Sequence, residues 1–231
     1  MPSIFFTGFP GFLGSELLPR VLARSDDDAV CLVQPKFRAL AEERASKIDA
    51  RRIRIVEGDL TAPLDHIDAH DIRAIYHLAA VYDLGVSREI GMRVNVTGTQ
   101  RVLDLASRAP RLERLHYVST CYVSGRYDGV FREDDLEVGQ VFNNFYEETK
   151  YLAEMEVRRR MRDLPTTIYR PSVVVGDSAT GATQKFDGPY FVMQWLMRQP
   201  RLALLPVVGD PKRYRFNVVP RDFVIRAIAH L

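Results

Sequence analysis

A glycine-rich turn near the N-terminus constrains the fold of this chain more than any other stretch. It follows the apolar run 4–6, precedes a helical pattern over 17–22, and has the sequence Thr7-Gly8-Phe9-Pro10-Gly11-Phe12-Leu13-Gly14. Glycines at such positions allow a sharp turn, a close approach of the backbone to a ligand, and close packing of a helix on a strand. A strand, a glycine turn and a helix in this order predict a turn that binds the pyrophosphate of a dinucleotide. The open alternative is a glycine-rich turn that binds no ligand.

Short apolar segments alternate with helical patterns over the first three quarters of the chain. Strands are predicted at 4–6, 29–34, 53–56, 74–80, 115–120 and 166–171. Helices are predicted at 17–22, 36–48, 94–109 and 144–162. This alternation predicts an α/β fold of the Rossmann type, a doubly wound parallel sheet with right-handed crossovers and helices on both faces. Ligands of such sheets bind in a crevice beyond the carboxyl ends of the strands.

Composition and charge exclude several classes of protein. The 231 residues are 46% apolar, which suits one large globular domain, or one domain and part of another. The net charge is only +2, so we expect no nucleic-acid partner, and the arginines 158–160 fit a solvated helix face. No apolar run approaches the ~20 residues of a membrane span. Because the N-terminus also lacks a charged leader, we predict a cytoplasmic protein.

The two cysteines give no sign of a disulfide or a metal site. Cys31 and Cys121 both lie in apolar runs that resemble strands. Buried thiols are therefore the expectation, and no metal site is predicted.

A tyrosine and a lysine lie four residues apart in the predicted helix 144–162. Tyr146 and Lys150 share one face of that helix. A nearby ammonium favours the phenolate and would lower the pKa of Tyr146 from its usual ~10, which suits an acid/base near neutral pH. Thr120, at the end of the fifth predicted strand, supplies a hydroxyl that would orient a carbonyl oxygen toward Tyr146. Thr120, Tyr146 and Lys150 are the predicted catalytic residues, and an ordinary surface pair of Tyr146 and Lys150 is the alternative.

Further motifs follow the glycine turn in a recognisable order. They are Gly58-Asp59-Leu60, Leu78-Ala79-Ala80, Asn95-Val96-x-Gly98-Thr99, Ser119-Thr120, Tyr146-x-x-x-Lys150 and Arg170-Pro171-Ser172. With these motifs the chain resembles an extended short-chain dehydrogenase/reductase from its N-terminus to about residue 176. The amino-acid sequence around the glycine turn, Ser119-Thr120 and Tyr146 is most similar to that of one branch of this family. That branch holds the fatty acyl-CoA reductases (male-sterility-like proteins) and the thioester reductase domains of carboxylic acid reductases and peptide synthetases.

The resemblance implies a role for each matching residue. Tyr146 would be the proton donor or acceptor, Lys150 its partner and a ligand of the cofactor ribose, and Thr120 the holder of the substrate oxygen. The implied cofactor-binding residues are Gly8, Gly11, Phe12, Leu13 and Gly14 at the pyrophosphate, Asp59 and Leu60 at the adenine, Ala79 and Ala80 at the ribose and pyrophosphate, and Pro171 and Ser172 at the nicotinamide. Asn95 would support the site or cap a helix. Ser119 would share the hydroxyl role or satisfy backbone groups.

The end of the second predicted strand bears on the choice between NADP and NAD. An enzyme that uses NAD usually has an acidic residue there, for the ribose 2′-hydroxyl. Here Gln34 is followed by Pro35, Lys36 and Arg38, so no acid competes with a 2′-phosphate and two cations are available to it. The branch resembled usually has arginine where this chain has Gln34. We predict NADP(H) with Lys36 as a contact, with NAD possible; solvated side chains at Lys36 and Arg38 are the alternative.

The pattern changes after residue 171. Residues 176–188 are loop-like, 191–197 form a short apolar helix, and 220–231 begin a helix whose apolar residues have no later partner in the sequence. We therefore predict an NAD(P)-binding domain over 1–171, and over 172–231 the beginning of a smaller, truncated substrate-binding domain interleaved with the sheet. The aromatic cluster after residue 185 would line an acyl channel or belong to the core.

The predicted function is oxidoreduction. Hydride would pass to or from a carbonyl or carbinol carbon of a small molecule, with an acyl thioester or an aldehyde as the substrate implied by the resemblance. One alternative is a nucleotide-sugar epimerase or dehydratase with Arg213, Arg215 and Arg221 at a diphosphate. Another is a dinucleotide-binding sensor without catalysis. A homodimer through the helices 94–109 and 144–162 is also expected of such proteins, unless these helices simply pack on the sheet.

Overall fold

The computed structural model describes residues 2–83, 85–186, 188–199, 202 and 216–231. Six strands form one sheet: β1 (Ser3–Thr7), β2 (Asp28–Val33), β3 (Ile53–Glu57), β4 (Ile72–His77), β5 (Arg114–Val118) and β6 (Thr166–Tyr169). Every adjacent pair is parallel, and the spatial order is β3-β2-β1-β4-β5-β6. This order is that of a doubly wound dinucleotide-binding sheet, so the predicted fold class is confirmed. The order reverses between β1 and β4, where such sheets open their ligand crevice.

Helices connect these strands on both faces of the sheet. They are α1 (Gly14–Leu22), α2 (Arg38–Ile48), α3 (Arg88–Gly91), α4 (Gly98–Ser107), α5 (Phe145–Arg160), α6 (Pro189–Met197) and α7 (Arg221–His230). Short 3₁₀ turns cover Pro35–Phe37 and Cys121–Ser124, and a π-helical segment, Met92–Thr97, joins α3 to α4. Two further short strands, β7 (Val173–Val175) and β8 (Val218–Pro220), pair in parallel apart from the main sheet.

Several boundaries differ from the prediction, and two of the differences have a visible local cause. The helix predicted from residue 94 begins at Arg88, because the Ser87 side chain accepts a hydrogen bond from the backbone N–H of Ile90 and caps the new end. β4, β5 and β6 end two or three residues earlier than predicted. After β4 the N–H of Ala79 donates to the Thr7 side chain, so the ladder stops and the next residues turn toward the crevice.

Side chains of the central strands alternate between two cores. On β1, Ile4 and Phe6 pack in one core with α1, α2 and α7, whereas Phe5 packs in the other. The second core includes the buried faces of α4 (Val102, Leu103, Leu105 and Ala106) and α5 (Ala153 and Val157). Both faces of the sheet are therefore covered, as parallel sheets require. The apolar faces of α4 and α5 lie against the sheet.

The C-terminal helix has partners that the sequence pattern did not reveal. Val224, Ile225 and Ile228 of α7 join the core of β1 and α1. Their partners lie earlier in the chain, on its first strand and first helix, rather than after them in the sequence. In the described residues, no helix has both the length and the apolar character to cross a membrane.

Truncating Ile225 tests whether α7 belongs to the core. Ile225 is 1% exposed, so Ile225→Ala should lower the free energy of unfolding by about 2–5 kcal/mol. Phe223, on the same helix, is 57% exposed, and Phe223→Ala should change it by roughly 0.5 kcal/mol or less. Urea denaturation of the three proteins measures both values. Equal, small losses would show that α7 does not contribute to the core.

Candidate active site

The three glycines of the turn after β1 are required by the packing of the turn itself. Gly8 has a φ of +92°, and a Cβ at Gly11 or Gly14 would lie 2.7 or 2.4 Å from the Gly8 carbonyl oxygen. The same oxygen accepts a hydrogen bond of 2.8 Å from the N–H of Gly11. Contacts of 2.4–2.7 Å leave no room for any side chain. The turn thus brings the first residues of α1 directly onto the end of β1.

The N-terminus of α1 is open to an anion. Leu13 precedes the helix and caps it with no side-chain hydrogen bond. The first N–H groups of a helix have no carbonyl partner within it and carry a partial positive charge. This glycine turn and helix end together fit a pyrophosphate, as the sequence predicts for Gly8, Gly11, Phe12, Leu13 and Gly14.

Two arginines flank the glycine turn, and the sequence pattern had not placed either of them there. Arg44 of α2 donates from Nη1 to the Pro10 carbonyl and to the Ser15 hydroxyl, both at 2.6 Å. The sequence signal available for this contact was the pair Ala41 and Ala45, four residues apart on one helix face. Both alanines are buried, so this part of α2 faces the protein. Arg221 of α7 is buried, with its guanidinium 5.2 Å from the Phe12 ring and 3.4 Å from Glu16.

The cations beyond β2 differ in their surroundings. Arg38 is held by Glu42 and Glu57, each at 2.7 Å, and these carboxylates raise the pKa of its guanidinium. Lys36 is exposed, with Nζ 4.9 Å from the ring centre of Phe37. The structure therefore separates the two residues: Arg38 already shares its charge with two carboxylates, and Lys36 points to solvent.

The end of β3 presents Asp59 and Leu60 to the same edge of the sheet. Gln34 donates to Oδ2 of Asp59 at 2.5 Å, and the N–H of Thr61 donates to Oδ1 at 2.7 Å. Burial alone raises the pKa of Asp59, but these hydrogen bonds and the charge of Arg93 lower it below its usual value. Asp59 is thus an ionised acceptor beside Gln34. Leu60 is buried against α4.

Tyr146 and Thr120 come together beyond β5. Tyr146 lies in the first turn of α5, which begins where Asn144 accepts a hydrogen bond from the N–H of Glu147 at 3.0 Å. Thr120 lies two residues beyond β5, and its side chain lies close to the Tyr146 phenol. Burial raises the pKa of Tyr146 to about 12, and the contact with Thr120 opposes that rise. The predicted lowering of this pKa is therefore not what the structure shows.

Lys150 lies one turn further along α5 and is buried against β5. Its Nζ donates to the Val118 carbonyl at 2.8 Å and to the Tyr117 hydroxyl at 3.0 Å. Burial lowers the pKa of Lys150 to about 7, and Glu154 raises it. The ammonium thus finds its acceptors on β5, which explains why the Tyr146 phenol keeps a raised pKa. Within the described residues these two acceptors take two of its three donors.

The structure decides between the alternatives for two neighbouring polar residues. Ser119 donates to the buried carboxylate of Glu154 at 2.6 Å, so its hydroxyl is turned away from the crevice. Asn95 lies inside the π-helical segment rather than at a helix cap. It bonds both backbone groups of Val81, at 2.8 and 2.9 Å, and the Thr149 hydroxyl at 2.9 Å. Asn95 therefore ties the loop after β4 to α5 and supports the site.

The remaining predicted residues follow β4 and β6. Ala79 and Ala80 are half-buried after β4, and Pro171 and Ser172 are half-buried after β6. The Pro171 carbonyl accepts a hydrogen bond of 3.0 Å from the N–H of Cys121, which links this loop to the segment after β5. The predicted residues from five strand ends thus lie along one edge of the sheet.

With this geometry in view, comparison with known proteins identifies the family. A model of an NAD-binding family described as male sterility protein matches residues 6–228. The chain belongs to this family. The resemblance to extended short-chain dehydrogenases/reductases of the male-sterility and thioester reductase branch is confirmed.

Relatives of this male-sterility family member include parts of large synthetases. A linear gramicidin synthase of Brevibacillus parabrevis is 31% identical over an alignment of 251 positions that covers 97% of this chain and 5% of that protein. The terminal R domain from the myxalamid PKS-NRPS biosynthetic pathway is 32% identical, with a TM-score of 0.81 over 99% of this chain and 61% of that chain. The chain therefore spans less than two thirds of either protein.

A sugar-nucleotide enzyme has the same fold. DesIV, a dTDP-glucose 4,6-dehydratase from Streptomyces venezuelae solved with NAD and TYD, is 25% identical. Its TM-score is 0.71 over 98% of this chain and 70% of that chain. Such neighbours support a nicotinamide cofactor for this fold. The type of reaction has to be argued from the residues of the site.

Adding one methyl group to the glycine turn tests its packing. Gly14→Ala should lower the free energy of unfolding by roughly 2–3 kcal/mol, because the new Cβ meets a backbone oxygen that cannot move alone. Gly139 has a φ of +76° but open space around it, so Gly139→Ala should lose only about 1 kcal/mol. Denaturant titration compares the two variants. A smaller loss for Gly14→Ala than for Gly139→Ala would contradict the packing described.

Proposed function

We propose that the protein is an NADP(H)-dependent reductase that transfers hydride to the carbonyl carbon of an acyl thioester or an aldehyde. The observation that carries the proposal is the convergence of Tyr146, Thr120 and Lys150 at the sheet edge that also holds the glycine turn. A proton donor, a hydroxyl beside it and a buried cation are the groups that carbonyl reduction requires of a protein.

The residues at the glycine turn fit the cofactor. The pyrophosphate would lie on the open N-terminus of α1, and the remaining N–H of Lys150 would reach the ribose. The nicotinamide ring, when bound, supplies the hydride. This chain positions the substrate carbonyl and supplies the proton that completes the reduction.

The pKa of Tyr146 favours the reductive direction. A phenol with a pKa of about 12 is protonated at neutral pH. Tyr146 can then donate its proton to the oxygen that gains charge as the carbonyl carbon is reduced, while Thr120 holds that oxygen. The Lys150 ammonium stabilises the negative charge left on the phenol oxygen. Oxidation would need Tyr146 as a base, which its raised pKa disfavours.

The preference for NADP(H) rests on cations near the turn. Arg44 is held against Pro10 and Ser15 by one nitrogen, Nη1, and its other donors are free of hydrogen bonds within the described residues. A guanidinium fixed beside the glycine turn suits a phosphate of the cofactor, and we assign it to the 2′-phosphate. Lys36 adds a second, exposed charge, whereas Arg38 is held by two carboxylates.

The acyl thioester or aldehyde is proposed from the resemblance and from the relatives among synthetases. We propose that residues 172–231 contribute to the substrate side of the crevice. The nucleotide-sugar alternative relied on three arginines. Arg221 is engaged by Phe12 and Glu16, which removes it from a substrate diphosphate, and Arg213 and Arg215 lie outside the described residues. The site itself therefore favours the reductase.

Removing the phenol oxygen tests the catalytic assignment. Tyr146→Phe should lower kcat for NADPH-dependent reduction of an acyl thioester or aldehyde about a hundredfold to ten-thousandfold, the usual contribution of a general acid. The Kd for NADPH should stay unchanged. Tyr151→Phe, on the same helix beside Phe142, is the matched control and should keep full activity. An unchanged rate in Tyr146→Phe would refute the assignment. Cofactor binding by a wild-type protein inactive on every carbonyl substrate would favour the sensor.

Arg44 provides the test of cofactor preference. Arg44→Ala should weaken NADPH binding about tenfold to a hundredfold, the loss of a charge-assisted hydrogen bond, and leave NADH binding nearly unchanged. Arg38→Ala is the control and should weaken NADPH less, because Glu42 and Glu57 already neutralise Arg38. Fluorescence titrations with both cofactors measure the ratio. An equal loss for NADPH and NADH would mean that Arg44 only supports the glycine turn, and tighter NADH binding by the wild type would overturn the NADP preference.

A further inference from the structure

A chain of buried polar side chains runs from the glycine turn to the active-site lysine. Its members are Thr7, His77, Thr99, Tyr117 and Lys150, and each is at most 3% exposed. The imidazole Nδ1 of His77 lies 2.8 Å from Oγ1 of Thr7, and Nε2 lies 3.0 Å from Oγ1 of Thr99. Thr99 also lies close enough to Tyr117 to lower the pKa of its phenol, and Lys150 donates to the Tyr117 hydroxyl at 3.0 Å. Five side chains from β1, β4, α4, β5 and α5 are thus joined.

Counting protons assigns a direction to the hydrogen bonds of His77. Thr99 donates its only hydroxyl proton to the Asn95 carbonyl at 2.6 Å, so its oxygen accepts from His77. The His77 ring therefore carries its proton on Nε2 and accepts at Nδ1 from the hydroxyl of Thr7. Burial and the charge of Lys150 lower the pKa of His77 to about 3, so the imidazole is neutral. The Tyr117 oxygen accepts from Lys150.

We propose that Tyr117 is a positioning residue for Lys150, and that Thr99 and His77 hold its hydroxyl in the orientation that accepts from the ammonium. The proposal rests on the proposed function, in which Lys150 contacts the ribose and stabilises the Tyr146 oxygen. With Tyr117 and Val118 binding two donors of Nζ, the third is directed to the crevice. A lysine side chain otherwise has free rotation about four bonds, and this anchoring restricts it before any cofactor binds.

The geometry also stabilises the charge of Lys150. The titratable groups that face it are Tyr117 on β5, His77 on β4, and Tyr146 and Glu154 on α5. His77 is neutral, and burial holds the pKa of Tyr117 well above its usual range, so neither adds a charge. Tyr117 therefore acts on Lys150 through the lone pair of its oxygen and through the face of its ring, whose centre lies 4.5 Å from Nζ, and a phenylalanine would keep the ring but lose the oxygen. Losing that acceptor should make the ammonium easier to deprotonate.

The chain contains a closely matched control for Tyr117. Tyr169, on the neighbouring strand β6, is also buried, and its hydroxyl lies 2.8 Å from Nδ1 of His116. Tyr169→Phe and Tyr117→Phe therefore each remove a buried hydroxyl from a tyrosine near a histidine. Only Tyr117 contacts Lys150 among these residues.

The experiment follows the protonation of Lys150 directly. The sequence has five lysines, so ¹³C-lysine labelling gives a simple spectrum, and Lys150→Met identifies the Lys150 signal. In the wild type this signal should titrate near pH 7. Tyr117→Phe should shift its midpoint down by about one pH unit, a tenfold change in protonation. Tyr169→Phe should leave it in place, and Thr99→Val, which keeps the Tyr117 hydroxyl but removes the hydroxyl beside it, should shift it down less.

These outcomes separate the inference from the proposed function. If Lys150 titrates at the same pH in Tyr117→Phe as in the wild type and in Tyr169→Phe, the positioning role is overturned. If Tyr117→Phe does not fold, the titration of Lys150 in Thr99→Val decides the question. The titration needs neither cofactor nor substrate. With turnover, the alkaline limb of kcat/KM should move down by the same interval in Tyr117→Phe. If the wild type has no reductase activity but the Lys150 titration still shifts in Tyr117→Phe, the proposed function is overturned and the anchoring of Lys150 is supported.

Discussion

The position of the Gly8 carbonyl oxygen determines how the first helix packs on the first strand, and much of the structure depends on that packing. It lies between Gly11 and Gly14 at distances that exclude a Cβ at either residue. Because of this contact, α1 starts directly on the end of β1 and its open N-terminus faces the crevice where the strand order reverses. The helix then packs into the core that α7 also joins, so the geometry of the turn is transmitted to the C-terminal end of the described chain.

The sheet imposes a second constraint, because both of its faces are buried. Polar side chains near its carboxyl edge have little access to water and must bond to one another. This requirement joins Thr7 to His77, brings Lys150 to β5, and pairs Glu154 with Ser119 and Arg170. The same burial raises the pKa of Tyr146 and lowers that of Lys150. Tyr146 is thereby kept protonated, which suits the donation of a proton.

Much of the architecture was predictable because it follows from local patterns. The alternation of strands and helices identified all six strands of the main sheet, and the glycine spacing identified the turn. The positions of Thr120, Tyr146 and Lys150 at one edge were predictable because parallel strands end on the same side. Less predictable were contacts between distant segments: Arg44 on Pro10, Arg221 on Phe12, and α7 against α1. Nothing in the local spacing of these residues indicates their partners.

The sequence by itself determined the fold class, the family and the set of residues that gather at the crevice, since periodicity and motif order are properties of the chain alone. Only the tertiary structure decided how those residues behave. It turned the Lys150 ammonium toward Tyr117 and Val118, and Ser119 toward Glu154. It also reversed the expected shift of the Tyr146 pKa. The physical reason is desolvation, because the charge state of a side chain depends on what surrounds it in space. The spacing of two residues on a helix does not reveal which strand they pack against.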